Sequence, residues 1–198
     1  MRKANARERI LETAGELFRR QGYGLVGINE IIAKSETAKA SFYQHFPSKE
    51  LLCAEWLKEM HARSETSHAA ILGDEDSAIT KIEAYFAELR NWLLENDFRG
   101  CPYTNTASML NTDAPAIRQQ VEIHKRFIRD FFVELSRGID GVSDPEELGS
   151  ALFLLYSGAT AEAQNVRATW PVDTAIAATR RLIREVEIPE VEDDVTLL

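Results

Sequence analysis

The chain has 198 residues, 44% of them hydrophobic and 28% charged, the balance of a folded protein with a substantial core. Its longest apolar run, Ala151–Tyr156, is far shorter than the ~20 residues of a membrane span, and no apolar leader core follows the basic N-terminus, so a cytosolic location is expected. A net charge of -9 excludes a protein that coats nucleic acid indiscriminately, and two widely separated cysteines, Cys53 and Cys101, exclude a disulfide framework.

Every long periodic stretch reads as helix, so an all-α fold is expected. Residues 3–21 place Ile10, Leu11, Ala14, Leu17 and Phe18 on one stripe, and Gly22 is suited to a left-handed cap. A short helix over Ile28–Lys34, a tight turn and a second short helix over Ala38–His45 follow. Pro47 breaks the pattern, and Ser48 caps a long helix from Lys49 to near Ala70 with Leu51, Leu52, Trp56 and Leu57 facing inward. Next come a helix over residues 77–96, a loop with Gly100 and Pro102, and a short helix near Tyr103–Leu110. Pro115 opens a helix striped by Ile117, Val121, His124, Ile128, Phe131 and Leu135. Asp144-Pro145-Glu146-Glu147 combines an acceptor cap, proline at the first position and acids at the positive dipole end, which starts a helix reaching Arg167. Trp170-Pro171 punctuates, a last helix runs to Glu187, and the acidic tail 188–198 is expected to be disordered.

Two short helices joined by a turn and braced by longer ones form a helix-turn-helix, whose second helix fits a major groove. Residues 1–50 carry nine basic and six acidic side chains, a net +3 that leaves -12 on the remainder. Such a split suits a chain that meets phosphates with one end only, although a short segment can differ this much without a role. Within the second helix Lys39 and Ser41 suit base or phosphate hydrogen bonds, Ala40 permits close backbone approach, and Tyr43 and His45 could reach phosphates. Phe42 and Phe46 point to the core, and Lys49 sets an ammonium beside a positive helix end.

The run Arg9–Trp56, with "ILETAGELFRRQGYG" and above all "AKASFYQHFPSKELL", resembles the DNA-binding domain of TetR-family transcriptional repressors. The spacing of Phe42, Tyr43, His45, Phe46, Lys49 and Glu50 carries that resemblance. It implies nine helices, a homodimer, a near-palindromic operator, and a C-terminal domain that binds a small molecule and releases DNA. It implies DNA contacts from Thr37, Ala38, Lys39, Ala40, Ser41, Tyr43, His45 and Lys49. Departures from the family pattern are Glu36 where glycine is usual in the turn, Thr37-Ala38 where Val-Ser is frequent, and Val26-Gly27 where Thr-Ser is frequent. The domains expected are a headpiece over 1–48 and a ligand-binding, dimerising body over 49–187.

In the body, the all-round apolar stretch 151–156 and the small residues that follow allow close helix approach, and the last helix supplies a matching stripe. Leu152, Leu155, Tyr156, Ala159, Ala163, Ile176, Thr179, Leu182 and Ile183 are the expected dimer interface, the alternative being burial within one subunit. Tyr85, Phe86, Trp92, Cys101, Tyr103, Asn105, Met109, His124 and Phe127 mix aromatic and polar character as a small-molecule pocket requires. His124, on an apolar stripe, is either a hydrogen-bonded core histidine or a ligand contact; with no second ligand at metal spacing on its face, no metal or cofactor is expected. Cys101, in a Gly-Cys loop similar to one found in a branch of the family that responds to electrophiles or oxidants, is either a sensing thiol assisted by Arg99 and a helix start or a small buried residue. The chain lacks a nucleophile triad, a metal-ligand cluster and a glycine-rich phosphate loop, and so does not read as an enzyme. The competing reading is a ligand- or redox-sensing helical protein without specific DNA binding.

Overall fold

The computed structural model describes residues 5–110 and 114–187, with backbone alone for the last two. Among the described residues the fold is all α, with nine helices and no strand. They are α1 (Ala6–Gln21), α2 (Ile28–Lys34), α3 (Lys39–His45), α4 (Lys49–Leu72), α5 (Ala78–Glu95), α6 (Pro102–Ser108), α7 (Pro115–Arg137), α8 (Pro145–Val166) and α9 (Trp170–Glu187). The acidic tail lies outside the described residues. No described helix is long and apolar enough to cross a membrane.

The chain groups into two compact units. The first takes residues up to Ile71 together with Arg99–Phe127, and the second takes Leu72–Phe98 and the chain from Ile128 on.

The first unit holds α1–α3, most of α4, α6 and the first half of α7. Its core joins Ile10, Leu17, Phe18, Ile31, Phe42, Phe46, Leu52, Trp56, Leu57, Tyr103 and Ile117. The start of α1 is set by a capping box, in which Asn5 Oδ1 accepts from the Glu8 amide and the Asn5 amide donates to Glu8 Oε2. Gly15 lets α1 meet α4, because a Cβ there would sit 2.6 Å from Cδ1 and Nε1 of Trp56. Gly22 ends α1 at φ 85°, ψ 151°, a positive φ that suits glycine but an extended ψ, not the left-handed helical cap expected from sequence. Ser48 Oγ accepts from the Leu51 amide and so caps α4, as expected. Leu51 itself is 45% exposed, a correction to its inward placement: it lies one residue off the stripe of Leu52, Trp56 and Leu57.

The second unit packs α5, α8, α9 and the second half of α7. Tyr85 stacks on Tyr156 with ring centres 5.0 Å apart, and Phe86, Phe131 and Phe132 close round the pair. Gly149 brings α8 against α7 so closely that a Cβ would lie 2.5 Å from the Val133 backbone. Arg180 clamps Glu83 with two hydrogen bonds of 2.7 and 2.8 Å, fastening α9 to α5. Pro171 stands in the first turn of α9 rather than in a break before it, where its missing N–H is no loss.

Candidate nucleic-acid interface

The turn between α2 and α3 is built from backbone hydrogen bonds. The Glu36 amide donates to Ala33 O (3.3 Å) and the Thr37 amide to Ile32 O (3.2 Å), the paired bonds of a Schellman motif. That motif needs a left-handed residue after the cap, and Glu36 occupies it at φ 51°. Here lies the physical reason for the glycine usual at this turn: a side chain in that region costs ~1–2 kcal/mol. Arg9, from α1, braces the turn by donating Nε to Ser35 O at 3.2 Å and Nη2 to Glu36 O at 3.5 Å.

α3 then presents two faces. Phe42 and Phe46 are 0% and 4% exposed and anchor the helix. Ala38, Lys39, Ala40, Tyr43 and His45 are exposed, Ser41 is half-buried, and Gln44 joins the exposed face although the motif reading had not singled it out. Thr37 is half-buried, its hydroxyl 2.9 Å from Ser35 Oγ inside the turn.

Lys49 is placed differently from its neighbours in the expected set. Its ammonium donates to Tyr23 O and Val26 O, both at 3.0 Å, and lies 4.3 Å from the Tyr23 ring centre. Partial burial lowers its pKa. The ammonium is thereby held by the carbonyls of the α1–α2 loop, which is a bracing role.

The first unit also contains a cluster of rings. Tyr103 and His124 stack with centres 3.6 Å apart and planes 6° from parallel, and the Tyr103 hydroxyl donates to Leu57 O at 2.9 Å. His61 meets His124 edge-on at 5.7 Å and Phe127 at 5.0 Å, and His68 meets Phe127 at 5.0 Å. Burial first, and then the charges of Lys125, His61 and His68, push the pKa of His124 down to about 3, so the ring is neutral. Nδ1 of His124 and Nδ1 of His61 are both buried without a hydrogen-bond partner. Burial raises the pKa of the Tyr103 hydroxyl, which therefore stays protonated. No group of three or more His, Cys, Asp or Glu able to hold a metal occurs among the described residues.

Of the expected pocket set, Tyr103, His124 and Phe127 thus meet in this cluster. Asn105 serves its own loop, donating to Arg99 O at 2.6 Å. Met109, 39% exposed, lies against Gly22 at the end of α1, its sulfur 2.7 Å from where a Cβ would stand. Cys101 caps α6, and the cation beside it is Lys125, whose Nζ lies 3.8 Å from Sγ. Arg99, expected to assist the thiol, instead donates to Arg19 O and Arg20 O at 3.4 and 2.8 Å and closes the last turn of α1. Tyr85, Phe86 and Trp92 belong to the second unit.

Residues 10–55 match the sequence model of the tetR family of bacterial regulatory proteins. Across the whole fold, a TetR-family regulator from Streptomyces coelicolor superposes with a TM-score of 0.83 at 26% identity, over 92% of this chain and 96% of that one. This is the TetR-family regulator fold. Reduced NemR of Escherichia coli has the same architecture, with a TM-score of 0.78 at 22% identity over 89% of this chain and 96% of that one. The repressor DhaR of a Mycobacterium strain is 24% identical over 87% of this chain and 89% of its own length.

On this TetR-family fold the residues expected to pair two copies divide into two groups. Leu152, Ala159, Ala163, Thr179 and Ile183 are at most 5% exposed within the single chain, so they pack α8 and α9 into the second unit. Leu155, Tyr156, Ile176 and Leu182 are half-buried. α8 turns outward two large apolar side chains, Leu154 at 67% and Val166 at 45% exposed, neither of them in the interface set. His61 and His68 were also passed over. They sit seven residues apart on α4, two helical turns on one face, and that spacing was their sequence signal.

Proposed function

We propose that this protein is a transcriptional repressor that binds a near-palindromic operator as a homodimer and leaves it when a small molecule occupies the body. The observation that carries the reading is the division of α3: two phenylalanines lock it to the core while Lys39, Ala40, Tyr43 and His45 stand exposed with Ser41 at their edge. That is the arrangement a helix needs to enter a major groove without leaving its domain. Two of the relatives, DhaR and NemR, are named repressors, which favours repression over activation. Pairing would cover Leu154 with the half-buried Leu155 and Ile176, and would set two α3 helices one DNA turn apart.

Release would be a population shift carried by α4 and α6. α6 holds Tyr103 in the ring cluster and is followed at once by Met109, which rests on Gly22, while Tyr103 also holds the α4 carbonyl of Leu57. A ligand that moves Tyr103 therefore moves the two elements touching the headpiece. A second input would be reaction of an electrophile with Cys101, whose Sγ lies 3.8 Å from the Lys125 ammonium at the start of α6. If Cys101→Ser leaves the electrophile dose response of DNA release unchanged, that input is absent.

The deciding experiment is an anisotropy titration of DNA from upstream of the protein's own gene at two salt concentrations. Sequence-specific binding that weakens steeply with salt is expected. Weak binding indifferent to sequence would favour a sensor that does not read DNA.

A further inference from the structure

We propose that Gln44 is the base-reading residue of α3, and that its carboxamide selects an adenine in each operator half-site by two hydrogen bonds in the major groove. This rests on the DNA-binding reading above and names the residue and the base on which its specificity turns.

The inference starts from how α3 is anchored. Phe42 and Phe46 stand one turn apart and are 0% and 4% exposed, so together they fix which side of the helix faces the core. Successive side chains turn by ~100° about a helix axis, which sets Gln44, two residues from each, ~160° away from both. Gln44 is exposed and holds the outermost line of the helix. Ala40, one turn earlier, lies near the same line but carries only a methyl. Tyr43 and His45 fall about 60–100° from the phenylalanines and so flank the helix. The Tyr43 ring is in edge contact with Phe42, with centres 5.3 Å apart, which commits it to the flank. Lys39 falls ~60° from Phe42, on the side of α3 nearer the core, where its ammonium suits the wall of a groove better than the floor. Rolling α3 to bring another side chain onto the outer line would expose both phenylalanines, so the core holds Gln44 in place.

Chemistry then picks the base. A carboxamide sets an acceptor oxygen beside an NH2 donor. Adenine offers the complementary pair on its major-groove edge, the N7 acceptor and the N6 donor. Guanine offers two acceptors there, and cytosine and thymine one polar group each. Gln44 therefore matches donor to acceptor and acceptor to donor at adenine alone. Ala40 makes the approach possible, because its methyl cannot hold the helix off the groove floor before the longer Gln44 side chain arrives.

The test is selection of binding sites from a random-sequence duplex pool by the full-length wild type, Gln44→Ala and Gln44→Lys, followed by anisotropy titration of the selected duplexes. The wild type is expected to enrich two symmetry-related half-sites, each with one adenine that Gln44→Ala no longer requires, while preferences at the other positions persist. Guanine in place of that adenine should weaken the wild type about tenfold per half-site, and 7-deazaadenine, which lacks only the N7 acceptor, about threefold. Neither change should affect Gln44→Ala by as much as twofold. Gln44→Lys should enrich guanine at the same position, a switch that neither packing nor a phosphate contact would produce. All three proteins should melt at the same temperature, since the side chain is exposed. An unchanged set of preferences in Gln44→Ala would overturn the proposal. So would an equal loss of affinity for every sequence, which would mark a phosphate contact, or a blurred preference at all positions with a lower melting temperature, which would mark a structural role. A wild type that enriches no sequence would sink the DNA-binding reading together with this one, whereas an enriched site indifferent to Gln44 would sink this one alone.

Discussion

Replacing Glu36 isolates what the helix-turn-helix turn demands. The residue combines a left-handed backbone at φ 51° with an exposed carboxylate beside the helix expected to meet phosphates. Relieving a left-handed side chain is worth ~1–2 kcal/mol, from which glycine's greater unfolded-state entropy subtracts ~0.5–1 kcal/mol. Glu36→Gly should therefore stabilise the protein by about 1 kcal/mol, raising Tm by ~2–4 °C in a chain of this size. Glu36→Gln removes the charge and keeps the strain, so its Tm should not rise. Both variants lose an anion within reach of the duplex and should bind operator about two- to threefold tighter at low salt, a gain that fades as salt is added. Glu36→Asn should fall between them in Tm, because its short side chain tolerates the left-handed region. The assays are thermal unfolding by circular dichroism and anisotropy with a labelled operator. A Tm gain in the glutamine variant, or none in the glycine variant, would refute the assignment of strain to this turn.

Lys39→Ala should lower the magnitude of the slope of log binding constant against log salt by about 1 per copy, whereas Lys49→Met should lower thermal stability and leave the slope unchanged, because its ammonium already sits on the Tyr23 and Val26 carbonyls. Gly15→Ala puts a methyl 2.6 Å from the Trp56 indole and should cost about 1–3 kcal/mol in urea unfolding. Leu154→Glu should give a folded monomer by sedimentation and abolish tight operator binding if that exposed side chain is covered by a second copy. His124 supplies a pH dependence: a base whose folded pKa of about 3 lies below the ordinary imidazole value of 6.5 contributes its full stability above pH 6.5 and loses it as pH falls toward 3. Urea unfolding at pH 8 and pH 5 should therefore differ by about 2 kcal/mol more in the wild type than in His124→Phe.

What the sequence disclosed and what it withheld divide along a physical line. Helix positions depend on local signals, and these were sufficient: Ser48 and Asp144 cap where expected, and α2 spans the residues read for it. The buried pair Phe42 and Phe46 followed from periodicity alone. Where the fold gives a side chain a role that local sequence did not show, its partner lies elsewhere in the chain. A lysine at the first turn of α4 looks suited to phosphate until the α1–α2 loop folds its carbonyls over it. Arg99 looks like the thiol's cation until the end of α1 claims it and α7 delivers Lys125 instead. An apolar helical stripe states that a face is covered but not by what, so Leu152 and Ala163 could be assigned to a second copy when their own subunit covers them.

The same reasoning explains why His61 and His68 were passed over while His124 was singled out. Read along the chain, His61, His68 and His124 are isolated residues on two helices, and each alone is better read as packing. Folding brings His61 and His68 against Phe127 and His61 against His124, and it leaves Nδ1 of His61 and of His124 without a hydrogen-bond partner. A buried polar atom left without a partner costs ~1–3 kcal/mol. α6 adds the connection: Tyr103 lies flat on His124, and Met109, just past the end of the same short helix, occupies the space over Gly22 where α1 ends. Under the release proposed above, a displacement at Tyr103 would be carried along the seven residues of α6 to Met109 and so to the base of the headpiece.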